Sequence, residues 1–223
     1  MLETTPHSGL ESGTRLRHPV SGSTVPQTLP DLLLIERARA GDGAAIEALI
    51  RRYGTRLFRV AYSVLLDAQR AEAAVLEAFL AAFADLSRYE PTGKFAAWLT
   101  RLAYAHARAQ RLSNRCTPAS AHTVEEAAEK SIAALPEVFR TVYVLRMVEG
   151  ISGIETAASL GLHETTVRTR LFRAHRRLPP ATAERLRAVP ALLELSSQRL
   201  ESIAGAALAA LAQSPTPRVS ASP

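Results

Sequence analysis

Residues 152–178 read SGIETAASLGLHETTVRTRLFRAHRRL, and this stretch decides the fold. Ser152 and Glu155 have the spacing of a capping box, so a helix is expected to start there. Ala157, Leu160 and Leu162 supply apolar positions. Gly161 falls where a chain leaving that helix needs a residue that tolerates positive φ. A second helix follows, with Val167, Leu171, Ala174 and Leu178 at spacings of four, three and four on one apolar face. Arg168, Arg170, Arg173, Arg176 and Arg177 fall on the rest of its surface. A short helix, a tight turn and a longer arginine-rich helix describe a helix-turn-helix. The small Ala157, Gly161 and the branched Val167 together meet its steric requirements. The competing reading is an ordinary helical hairpin with a solvated basic face, which does not need the three together.

Composition supports an all-α chain with an anionic partner. The 223 residues carry 27 Lys+Arg against 21 Asp+Glu, a formal charge of +6. The excess is not spread evenly. Residues 31–112 hold 12 basic against 9 acidic residues, and residues 131–180 hold 7 against 4. The positive charge therefore sits in the segments expected to fold, as nucleic-acid binding requires. Strand-type alternation is nearly absent. The single cysteine, Cys116, excludes an intramolecular disulfide and a cysteine-cluster zinc site. Neither a His-Glu-x-x-His nor a P-loop spacing occurs, so no catalysis, metal or cofactor is expected. The N-terminus lacks a signal-type apolar core, and the late apolar run 203–212 is too short to span a bilayer. A cytoplasmic protein without membrane insertion is the expectation.

Organisation follows from the breaks. Residues 1–30 are rich in Ser, Thr, Pro and Gly and are expected to be a disordered tail. A first domain, 31–112, should hold four helices. Asp31 can cap the first, through about residue 40, and Asp42 the second, 44–66. Residues 67–70 read as a break, and the third helix as 71–88, with Val75, Leu76, Phe79, Leu80, Phe83 and Leu86 inward. The fourth, 95–112, should bury Phe95, Trp98, Leu99, Leu102, Ala105, Ala109 and Leu112. Its second stripe, Arg101, Tyr104, Arg108 and Arg111 at spacings of three, four and three, suits a phosphate strand with a base to stack on. A solvated charged face is the bland alternative. Residues 113–130 read as a flexible linker, 131–180 as the helix-turn-helix domain, 181–213 as a helical extension and 214–223 as a tail. In the extension Leu192, Leu195, Ile203, Leu208 and Leu211 are available to pack on the core or meet a partner.

Taken together, residues 33–112 and 131–178 resemble the bacterial RNA polymerase sigma factors of the extracytoplasmic-function group. The resemblance rests on Ala134-Leu135-Pro136-Glu137, Arg140, Val144-Leu145-Arg146, Glu149-Gly150-Ile151-Ser152, Leu160-Gly161-Leu162 and Thr166-Val167-Arg168-Thr169-Arg170-Leu171. In the first domain it rests on Arg39-Ala40-Gly41-Asp42, Ala71-Glu72, Glu77-Ala78-Phe79 and Trp98-Leu99. The chain departs from the family's usual residues at Ala73, Leu76, Phe83, Ala105, Ala109 and Gly153-Ile154.

The resemblance implies two small helical domains, a region 2-like bundle and a region 4-like helix-turn-helix. It implies a specificity subunit whose partners are core RNA polymerase and promoter DNA, with an anti-sigma factor as a regulator. Glu72, Ala73, Leu76 and Glu77 would then meet polymerase. Arg101, Tyr104, Arg108 and Arg111 would meet the melted downstream element. His163, Glu164, Thr165, Thr166, Arg168 and Thr169 would meet upstream base edges, with Arg170, Arg173 and Arg177 on phosphates. For His163, capping of the recognition helix competes with a DNA contact. Two rival functions remain: a helix-turn-helix regulator of sigma fold without strong polymerase binding, and a protein-interaction decoy.

Overall fold

The computed structural model describes residues 29–90, 94–113, 127–178 and 195–213. Most of the N-terminal tail, residues 91–93, most of the linker, residues 179–194 and the C-terminal tail lie outside the described residues. Within them the chain is helical: α1 (Asp31–Arg39), α2 (Gly43–Leu65), α3 (Ala68–Ala84), α4 (Phe95–Ser113), α5 (Ala127–Ala133), α6 (Glu137–Tyr143), α7 (Gly153–Leu160), α8 (Glu164–Arg177) and α9 (Ser197–Gln213).

Local chemistry sets most boundaries. Asp42 caps α2, accepting from the backbone N–H of Ala44 at 3.0 Å and Ala45 at 3.4 Å. Asp67 caps α3 through the Arg70 N–H, so the expected break at 67–70 is instead the first turn of a helix that starts earlier. That helix stops at Ala84, and Leu86–Arg88 form a 3₁₀ turn. Pro30, not Asp31, is the N-cap of α1. The Asp31 carboxylate is spent across the bundle, on Arg52 Nη1 at 2.5 Å and on the Tyr53 hydroxyl. Helix α6 continues into one π turn, Val144–Val148, with the Glu149 N–H reaching back to the Val144 carbonyl.

The first domain packs α1 to α4 around Leu34, Ile35, Leu49, Ile50, Leu57, Phe79 and Leu99. Its tightest surfaces are alanine. On α3 the buried residues are Ala71, Ala74, Val75, Ala78, Phe79 and Ala82, while Leu76, Leu80 and Phe83 are only half-buried. On α4 the buried row is Phe95, Leu99, Ala103 and Ala107 at steps of four. This corrects the C-terminal half of the expected face: Phe95 and Leu99 are buried and Trp98 and Leu102 pack against the core, but Ala105 and Ala109 are exposed and Leu112 is 72% exposed. Toward its C-terminal end the inward row is Ala103 and Ala107: α4 is hemmed in by α2 and α3 and also packs on α7, and small side chains permit that approach.

The second domain is not packed separately. Val60 of α2 is fully buried in one cluster with Val142, Leu145, Ile151, Ala157, Leu160 and Val167. Arg140 of α6 is 6% exposed and donates to four carbonyls: Ser63 at 2.7 Å, Ile132 at 3.3 Å, Ala133 at 2.9 Å and Leu135 at 2.6 Å. The first belongs to the end of α2, so one guanidinium joins the two domains. Burial above all, then the Arg111 charge, lowers its pKa to about 10, so it stays protonated at neutral pH. Arg140→Met strands those carbonyls and should cost about 3 kcal/mol or more in denaturant unfolding. Arg140→Lys should recover only a minor part, because an ammonium has three donors and no planar fork.

Candidate nucleic-acid and protein interface

The recognition element forms as its residues dictate. Ser152 Oγ accepts the Glu155 N–H at 3.1 Å, and Gly161 closes α7 at φ +64°. The buried stripe of α8 is Val167, Ala174 and Leu178, with Leu171 half-buried. The opposite face is open. His163, Glu164, Thr165, Arg168, Thr169, Arg173 and Arg177 are exposed, and Thr166 and Arg170 are half-buried. His163 holds the N-cap position of α8 without a side-chain cap bond. Arg168 reaches Glu164 at 3.8 Å, both well exposed, a pair worth little in water. The Arg177 guanidinium lies 4.8 Å over the ring of Phe139, which steadies the C-terminal end of α8 against α6.

The α4 stripe has a different setting. Arg101 and Arg108 are exposed, but Tyr104 is half-buried where the two domains meet, touching both apolar clusters. Arg108 stands 5.7 Å over its ring, and burial first of all raises the phenol pKa. Arg111 donates to the Val64 carbonyl at 3.0 Å and pairs with Glu137 at 2.8 Å. Arg101 leans over the turn of the helix-turn-helix, so a Cβ at Gly161 would stand 3.8 Å from its Nη2. The stripe therefore faces the second domain, and two of its four residues are engaged there.

On α3, Ala73 is exposed and Leu76 is half-buried against the first core. Glu77 is exposed and lies against α4, 3.2 Å from Gln110 Nε2 and 3.3 Å from His106 Nδ1. Glu72 pairs with Arg199 of α9 at 2.9 Å. Among the described residues, no group of three or more His, Cys, Asp or Glu is placed to hold a metal ion, and no helix is long and apolar enough to cross a membrane.

The residues that sequence reasoning passed over are those of the seam. Arg56 pairs with Glu155 at 2.9 Å and Arg59 with Glu149 at 2.6 Å, with only 12–15% of each side chain exposed. Lys94 adds a second cation to Glu155 at 2.8 Å. The capping-box acid thus leaves its box to hold the first domain. The one available signal was a pair of acids, Glu149 just before the helix-turn-helix and Glu155 in its first turn, within a net-basic segment.

Burial by itself raises the Glu155 carboxyl, but the hydrogen bonds from Lys94 and Arg56 outweigh it, and the net pKa lies below the usual value. Such a carboxylate contributes stability above its unfolded pKa and loses it as pH falls through the lower, folded value. The paired seam should therefore hold at neutral pH and loosen only at acid pH, below the usual carboxylate range. Small-angle scattering should show expansion at that pH before circular dichroism reports loss of helix. Glu155→Gln should be expanded already at pH 7; an unchanged radius would show that the pair does not hold the domains.

Comparison with known proteins agrees with this geometry. The family model for Sigma-70 region 2 matches residues 49–115, and that for Sigma-70, region 4 matches residues 125–178. The chain is 27% identical over 185 residues to the RNA polymerase sigma-H factor of Pseudomonas aeruginosa, covering 70% of this chain and 96% of that one. It is 25% identical over 172 residues to the ECF RNA polymerase sigma factor SigW of Bacillus subtilis, covering 65% and 92%. Among solved structures it is similar to CnrH in complex with the cytosolic domain of CnrY, at 28% identity and TM-score 0.54 over 71% of this chain and 97% of that one. With a region 2 bundle, a region 4 helix-turn-helix and relatives of this kind, the chain belongs to the sigma-70 family, in its extracytoplasmic-function group of RNA polymerase sigma factors.

Proposed function

We propose that the chain is an initiation factor that carries core RNA polymerase to a promoter and helps open it. The observation that supports this reading best is α8, whose apolar stripe is buried while its basic, hydroxyl-bearing face stays open. His163, Glu164, Thr165, Thr166, Arg168 and Thr169 then read base edges, and Arg170, Arg173 and Arg177 take phosphates. Helix α3, through Glu72, Ala73, Leu76 and Glu77, takes the polymerase. Polymerase supplies the chemistry, and the chain acts where polymerase does, in the cytoplasm. A regulatory protein of the anti-sigma kind is the third partner. Run-off transcription with core enzyme and a genomic fragment pool tests the whole reading: discrete transcripts that need this chain are expected. Failure to co-purify with core enzyme, with DNA binding intact, would leave a helix-turn-helix regulator instead.

Because Arg173 is exposed on this face and is read here as a phosphate contact, Arg173→Ala should weaken binding to all duplexes alike. It should flatten the logarithmic salt slope by roughly one unit. Altered base preference at an unchanged slope would move Arg173 to the base-reading group.

Promoter opening gives the second test. Tyr104 can stack on an unpaired base only after the domains part, because it is half-buried in their seam. Such stacking is worth about 1–3 kcal/mol per base, comparable with the cost of opening a pair. Tyr104→Ala should spare duplex binding but reduce permanganate reactivity of the promoter several-fold, and a pre-melted bubble template should restore transcription. Equal loss on both templates would remove the melting role.

A further inference from the structure

The segment with no role so far is α9. It lies in the angle of α2 and α3, burying Ile203, Ala204 and Ala207, with Leu195 buried just before it and Leu200, Leu208 and Leu211 half-buried. Leu200, Ala204 and Leu208 recur at steps of four, as in a helix laid into a groove. The groove is shaped for it. Gly54 stands mid-way along α2, where glycine weakens a helix by about 1 kcal/mol relative to alanine. Its φ is not positive, so conformation does not require it. Leu200 fills the space instead: a Cβ there would lie 2.3 Å from Leu200 Cδ2, so that side chain would have to shift. Charges fix the register, Arg199 on Glu72 at 2.9 Å and Glu201 near Arg51 at 3.7 Å.

The occupant is built weaker than its seat. Gly205, in the middle of α9, has an ordinary φ, and a Cβ added there meets nothing within 4 Å. This glycine loosens the helix without any return in packing. A helix of 17 residues with such a position is marginal alone in water and persists only when docked.

We infer that α9 is an intramolecular competitor for the protein-binding face of the first domain: it holds Glu72 and must leave the α2–α3 groove before polymerase engages α3. This rests on the reading of α3 as the polymerase face. Binding to a face that is open for only part of the time weakens the observed affinity by the open fraction.

The test uses the full-length chain, purified core polymerase and fluorescence anisotropy, with hydrogen exchange of residues 197–213 reporting α9. Gly205→Ala touches neither surface. It should slow exchange of α9 and weaken core binding by up to about fivefold. Arg199→Glu should speed exchange and tighten core binding by about twofold to fivefold. Leu200→Asp should do the same by roughly tenfold, with unfolding midpoints checking that the α1 to α4 core remains intact. Opposite shifts of Gly205→Ala and Arg199→Glu support the inference. Exchange that changes while affinity does not would overturn it, as would exchange that none of the variants moves. If no form binds core enzyme while all bind promoter duplex, the polymerase reading itself fails and the inference with it.

Discussion

The last carbonyls of α2 point into the protein rather than into water. A helix end carries roughly half a negative charge and acceptors without partners, so burying one demands donors from elsewhere. Arg140 and Arg111 supply them, on the carbonyls of Ser63 and Val64. Arg140 also binds three carbonyls around the end of α5. A planar cation with five N–H donors is the one side chain able to serve two helix ends at once. Without it the carbonyls at two helix ends would lack donors while the domains are packed together, so the closed arrangement depends on Arg140.

Around that joint the apolar and ionic contacts are complementary. Val60 gives its side chain to the core of the second domain, and the helix-turn-helix gives Glu149 and Glu155 to arginines of the first. The consequence for charge is asymmetric. Three acids of the second domain, Glu137, Glu149 and Glu155, pair with cations of the first, while Arg168 and Arg173 of α8 stay exposed. The α4 stripe has the opposite fate, with Arg111 paired and Tyr104 covered. One arrangement leaves the basic face of α8 open and encloses Tyr104 of α4.

Alanine and glycine carry much of the packing. Ala103 and Ala107 let α4 approach three helices, and Gly54 receives Leu200 of α9. Such positions contribute by what they leave empty, and an apolar ranking of the sequence overlooks them. The misjudged face of α4, where Leu112 was expected inside, has this cause.

The sequence by itself marked the main helices, the break at Gly161 and the split of α8 into a buried apolar stripe and an open basic face. These depend on residues three to six apart, through helical period, caps and positive φ, and the chain states them locally. It also marked Asp42 as a cap and Gly150 as a stop, both borne out by the Asp42 hydrogen bonds and the Gly150 φ of +65°. Only the tertiary structure decided what faces what. Arg56 meets Glu155 across 99 positions, Arg59 meets Glu149 across 90, and Arg140 meets Ser63 across 77. An arginine on a helix surface looks the same in the chain whether water, phosphate or a carboxylate awaits it. Which one does is settled by how whole helices pack, because a charge commits to a partner only where burial removes water as the alternative.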